Sequence, residues 1–73
     1  MKKIALSDYC SSHSQFAAAK VLGWTTQGAV WQALQRGREI YIVEHEDGSL
    51  SAYEVKHLAG RRVQTMPVVD EAA

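Results

Sequence analysis

Between Ser14 and Arg38 the chain reads SQFAAAKVLGWTTQGAVWQALQRGR, and no other stretch constrains the fold as much. Phe16, Ala19 and Leu22 recur at helical spacing ahead of Gly23, and Val30, Ala33 and Leu34 recur the same way beyond it. Two short helices joined by a tight turn are the outline of a helix-turn-helix. Ser14 is placed to cap a helix over Gln15 to Leu22, Gly23 to take the left-handed conformation that ends it, and Thr25 or Thr26 to cap the next. On a helical wheel of Gln27 to Arg36, the residues Gln27, Gly28, Trp31, Gln32 and Gln35 share an arc of roughly 140°, opposite Val30, Ala33 and Leu34. One face is core. The other holds three glutamines, a glycine and a tryptophan, with no acid to repel phosphate. Gly37 then stops the helix, and Arg38 follows directly.

The flanks complete an α+β pattern. Lys2 to Leu6 is a short alternating segment suited to an edge strand, and Ser7 with Asp8 behind it starts a short helix from about Asp8 to His13. The run SSHS at Ser11 to Ser14 is poor helix interior and a good boundary. From Glu39 the period becomes two: Ile40 and Ile42 share one strand face, Tyr41 and Val43 the other. Glu46-Asp47-Gly48 supplies a hairpin turn, and Ser49 to about Lys56 returns with Leu50 and Ala52 beside Ile40 and Ile42, Tyr53 and Val55 facing away. An apolar Val55 on an otherwise bare edge strand points to pairing with another chain. Beyond Leu58 no periodicity is sustained, so the expected organisation is one domain over residues 1–59 and a flexible tail over 60–73.

A chain of 73 residues buries a small core, and it has no staple: its one cysteine, Cys10, forms no internal disulfide, which fits a reduced cytoplasmic setting. No apolar run approaches the ~20 residues of a membrane helix, and MKKIALSDYC reaches Ser7 and Asp8 too soon for a signal peptide. Catalysis is not expected. His13, His45 and His57 are widely spaced with no cysteine or carboxylate at ligand spacing, and Ser12-His13 lacks an orienting third group. No metal, cofactor or small-molecule ligand is expected.

The net charge is zero, from eight basic and eight acidic residues, which at first argues against a nucleic-acid partner. The distribution answers that objection: Asp70 and Glu71 sit at the far end, while Lys20, Arg36, Arg38, Arg61 and Arg62 flank the two helices or precede the tail. A glutamine amide gives and takes a hydrogen bond at once, matching the N7 acceptor and N6 donor of adenine in the major groove. Gln27, Gln32 and Gln35 are therefore candidate base readers, with Gly28 on the same face. Trp31 reads either as half-buried core or as a contact to thymine methyls, and Trp24, in the turn, reads as packing. Candidate contacts to the DNA backbone are Gln15, Lys20, Thr26, Arg36 and Arg38. Arg61 and Arg62 are either arginine arms reaching the backbone or minor groove, or solvated tail.

The order strand, three helices, hairpin, with KIALSDY, AKVLG, QGAVWQAL, GREIYIV and DGSLSAYEVK, resembles the Cro repressors of lambdoid bacteriophages over Lys3 to roughly Leu58, about three quarters of the chain. The resemblance implies a three-stranded antiparallel sheet and a repressor that binds a palindromic operator as a homodimer, Gln27 to Arg36 lying in the major groove. It implies that Gln27 reads a base. Gly28 stands where a small hydroxyl residue is usual, Gln32 where a lysine is familiar, and Trp31 replaces a polar residue. The turn Trp24-Thr25-Thr26 is one residue longer than the family's. For the dimer it implies antiparallel pairing of Glu54-Val55-Lys56 across the two-fold axis. Tyr53 flanks that seam, and Leu58 reaches into the partner's core where the family often has a larger aromatic. The competing reading is a small phage protein that docks on another protein through exposed Trp24 and Trp31, which the neutral net charge favours.

Overall fold

A computed structural model describes residues 1–66 and Val68. The elements run β1 (Lys2–Ala5), α1 (Leu6–Ser12), α2 (Gln15–Leu22), α3 (Gln27–Gln35), β2 (Glu39–Glu44), β3 (Leu50–Leu58) and β4 (Arg61–Thr65). The strands form one antiparallel sheet in the order β1-β2-β3-β4. Because strand side chains alternate, Ile40 and Ile42 point to the same side, where they meet Leu6 and Tyr9 of α1, Ala18 and Ala19 of α2, and Ala29, Val30 and Ala33 of α3. The helices thus cover one face of the sheet. Val30 and Ile42, both with no exposed area, sit at the centre. The alanines of α2 and α3 are small enough to let the two helices approach closely.

Local chemistry fixes the two helices of the motif at both ends. Ser14 Oγ accepts from the Ala17 N–H at 2.9 Å, and Thr26 Oγ1 accepts from the Ala29 N–H at 3.3 Å, so Thr26 is the cap of α3. At the far ends, Gly23 (φ 75°) and Gly37 (φ 69°) both turn left-handed. The Trp24 N–H then reaches Ala19 O at 2.9 Å, and the Arg38 N–H reaches Ala33 O at 3.1 Å. Both closures are of the Schellman kind, which satisfies carbonyls that the helix leaves open. A Cβ on Gly23 would touch nothing within 4 Å, so the cost of Gly23→Ala is confined to the backbone. It is expected to be ~1 kcal/mol, a fall of about 4–8 °C in melting temperature. A thermal melt followed by circular dichroism measures it.

Three expectations need correction. α1 begins at Leu6, with Ala5 in the cap position and no side-chain cap bond, so the buried Leu6 side chain and not a Ser7 cap sets its start. Among the described residues the sheet has four strands, not three: Arg61–Thr65 forms β4, paired with β3 from Glu54↔Thr65 to Leu58↔Arg61. The chain reverses there through Ala59 (φ 52°) and Gly60 (φ 79°), the paired positive φ values of a two-residue hairpin turn. The boundary expected after Ala59 therefore falls inside a hairpin, and the part of the expected tail nearest to it is ordered strand. Val68, further along, is buried in the core beside Trp24. The rest of the expected tail lies outside the described residues.

Candidate nucleic-acid interface

α3 presents the face its sequence implies. Gln27, Gly28, Trp31 and Gln35 are exposed, and Gln32 is half-buried at the margin. Ala29, Val30 and Ala33 are buried on the opposite side, with Leu34 partly covered. Trp31 is 52 % exposed and is no part of the core cluster, which decides between its two readings in favour of the surface. No acid lies on α3, and its last turn runs into exposed Arg36. At the start of α2, Gln15 is half-buried, and Lys20 is exposed with its Nζ 4.8 Å from the Phe16 ring centroid. Phe16 is 58 % exposed, an apolar position that helical spacing alone assigns to the core. Ala18 and Ala19, two and three residues further along α2, take that place instead.

Arg38 does not join this surface. Its Nε and Nη2 each donate to one oxygen of Glu54 at 2.8 Å, a two-pronged pair with both side chains buried. Its guanidinium also lies 5.5 Å from the Trp24 ring centroid. That removes Arg38 from the phosphate candidates: its charge is committed inward. The same contact holds the Glu54 carboxyl below the usual carboxylate range, against the effect of burial. Trp24 is 8 % exposed, and its Nε1 donates to Val68 O at 3.3 Å, so the turn between α2 and α3 is tied to the segment after β4. Thr65 Oγ1 donates to Glu54 O at 3.2 Å, tying β4 to the same acid. The motif's turn, β3 and the chain beyond it are held by one small network.

The opposite face of the sheet carries a second cluster. Glu39 accepts from Tyr41 Oη at 2.8 Å and from Arg62 Nη2 at 2.6 Å, and His57 Nε2 lies 3.5 Å away. These bonds, the Tyr41 hydroxyl first, lower the Glu39 pKa and raise that of Tyr41. Arg62 therefore points away from the helix layer, while Arg61 is exposed on the edge strand. Neither is an arm extending from a loose tail.

The expected dimer seam is also different within one chain. The free edge of β3 assigned to a second copy is occupied by β4, Val55 opposite Gln64 and Lys56 opposite Val63. Glu54 is 4 % and Val55 6 % exposed, so a lysine at position 55 would disrupt the monomer and not merely a seam. Tyr53 is half-buried against Tyr41, ring centroids 5.4 Å apart, and Leu58 stands 55 % exposed at the end of the strand. The expectation of a bare edge at β3 is thus corrected: β3 is an interior strand, covered by a β4 that offers only Val63 as an apolar signal.

Among the described residues no group of three His, Cys, Asp or Glu is placed to hold a metal ion. Among the described residues no helix is long and apolar enough to cross a membrane.

Two capped helices at a fixed turn, packed on an antiparallel sheet and exposing an acid-free second helix, define a DNA-binding regulator of the helix-turn-helix class. The chain belongs to the Cro family of DNA-binding bacteriophage repressors, whose family model matches residues 1–59; this is a family of regulators and not of enzymes. Its structure is similar to that of the Cro protein from prophage Pfl 6 in Pseudomonas fluorescens Pf-5, with 42% sequence identity and a TM-score of 0.66. That match covers 80% of this chain and 98% of the other.

Proposed function

We propose that this protein represses transcription by occupying a palindromic operator as a homodimer, each copy laying α3 in the major groove of one half-site. The observation that carries this reading is the exposed, acid-free stripe Gln27, Gly28, Trp31 and Gln35 on a helix whose other side is locked into the core. Gln27, Gln32 and Gln35 bring amides that pair with adenine edges, and a rigid helix holds them in register. Lys20 and Arg36, with Gln15 and Thr26 at the helix starts, form the backbone-contacting group; Arg38 and Arg62 are engaged elsewhere. The site of action is the DNA of a bacterial host, in its cytoplasm, and the mechanism calls for no cofactor or small-molecule ligand. The competing protein-docking reading loses one of its two anchors, because Trp24 is buried.

Selection of bound duplexes from a random pool, followed by footprinting, tests this. The expected product is a pair of half-sites with centres about 34–36 Å apart. With Lys20 and Arg36 as the cations, two per copy and four per dimer, affinity is expected to fall with salt at a log–log slope of about −4. No protected duplex at low salt would refute the reading. Gln27→Ala is expected to cost about 1–3 kcal/mol on the selected operator and little on random duplex, measured by titration of both. Equal losses would remove Gln27 from the base readers.

A further inference from the structure

α3 exposes an indole where its other outward side chains are amides, and one turn before it on the same face lies a residue with no side chain. Trp31 is 52 % exposed, on the side opposite Ala29, Val30 and Ala33, so its ring does no work in the core. A single exposed aromatic is ordinary on a protein surface. Gly28 is what makes this one informative. Glycine inside a helix is destabilising relative to alanine, and here the fold supplies no reason for it: Gly28 has no positive φ, and a Cβ there would meet only Thr26 Oγ1, at 3.9 Å. Gly28 lies one turn N-terminal to Trp31, the direction in which helical side chains lean, and no indole atom comes within 4 Å of the position its Cβ would take, so the backbone there is left open. The middle of the face is therefore an indole beside bare backbone, bordered by the amides of Gln27 and Gln32.

Within the major groove, base pairs offer one apolar group, the C5-methyl of thymine, and every adenine edge that a glutamine reads has that methyl on its paired base. Resting on the proposal that α3 reads DNA, we propose that Trp31 and Gly28 form an apolar seat for a pyrimidine C5-methyl. Operator recognition then depends on that methyl as well as on hydrogen bonds. The missing Cβ of Gly28 lets the base edge approach the helix, and the indole covers the methyl and excludes water from it. Burying one methyl against a ring corresponds to about fourfold in affinity.

The probe is the operator obtained by selection, rebuilt with deoxyuridine in place of each thymine in turn. One thymine per half-site is expected to respond, the wild-type protein losing about fourfold per methyl and about sixteenfold when both half-sites are changed. Trp31→Ala is expected to bind more weakly and to have lost the difference between thymine and deoxyuridine, with its melting temperature unchanged. Gly28→Ala is expected to raise the melting temperature and to weaken operator binding, opposite signs that a purely structural glycine does not give. Specific binding that is indifferent to deoxyuridine at every position would overturn the methyl seat and leave the DNA-binding reading standing. Failure to select any specific duplex would overturn both.

Discussion

Glu54→Ala is expected to cost about 3–5 kcal/mol, the largest loss of any single side-chain change considered, and to leave the chain largely unfolded on warming. Glu54 faces the helices from β3, opposite Ile40, and both of its oxygens are bound by Arg38 at 2.8 Å. Truncating it takes from the guanidinium packed against Trp24 the carboxylate that binds it at two points, which is far more costly than never having had the pair. A domain of this size holds about 5–15 kcal/mol in all, and small cores lie at the low end of that range. Arg38→Met combined with Glu54→Leu removes both charges and keeps the volume, and is expected to recover most of the loss. Urea denaturation of the single and double variants at neutral pH measures the difference. If the single change costs under 1 kcal/mol, the pair is solvated in solution.

The same pair sets an acid limit. Arg38 lowers the Glu54 pKa in the folded state, so its stabilisation is complete above the ordinary carboxylate value of ~4.3 and is lost as pH falls through the lower folded value. The urea midpoint of the wild type is expected to drop below about pH 4, and the Arg38→Met/Glu54→Leu variant is expected to lack this pair's part of the drop.

Local rules carried most of the fold. Ser14, Thr26, Gly23 and Gly37 act at the positions their chemistry implies, and the wheel of α3 separates Val30 and Ala33 from Gln27, Trp31 and Gln35 as the structure does. The strand parity that placed Ala52 beside Ile42 also places Glu54 inward, and an inward acid requires a cation of matching parity on the neighbouring strand. Arg38 was therefore within reach of the sequence as a buried partner, although its position after α3 suggested phosphate. β4 was not within reach. Asp47-Gly48 announces its turn, whereas Ala59-Gly60 leads into a strand whose one apolar residue, Val63, gives no alternation. Its hold on the sheet comes from long-range partners, Glu54 and the β3 backbone. Phe16 misled for a related reason: spacing marks a stripe, but the neighbouring alanines pack closely enough to take the core side of α2.

A chain ending at Gly60 is expected to associate with itself about a hundredfold more tightly than the full chain. β3 pairs with β2 along one edge and with β4 along the other, from Glu54 to Leu58, so a second copy gains β3 only after β4 has left. Displacing five residues of strand breaks several backbone hydrogen bonds, each worth ~0.5–1.5 kcal/mol net, and a total of about 2–4 kcal/mol spans the hundredfold. Leaving also sacrifices the Thr65 bond to Glu54 and separates Arg62 from Glu39. Removing β4 exposes a row of unpaired N–H and C=O groups along β3, and removes the charged Arg61 and Arg62 that discourage edge pairing. Sedimentation equilibrium on both chains, at equal concentrations, reads the difference, and the shorter chain's melting temperature is expected to rise with concentration because dimerisation replaces the lost strand. A shorter chain that stays monomeric while the full chain dimerises would move the seam from β3 to the outer edge of β4. If the hundredfold is found, β4 acts as a guard on the dimer edge: operator binding by the full chain then includes the cost of moving it, and the shorter chain occupies the same two half-sites at lower concentration.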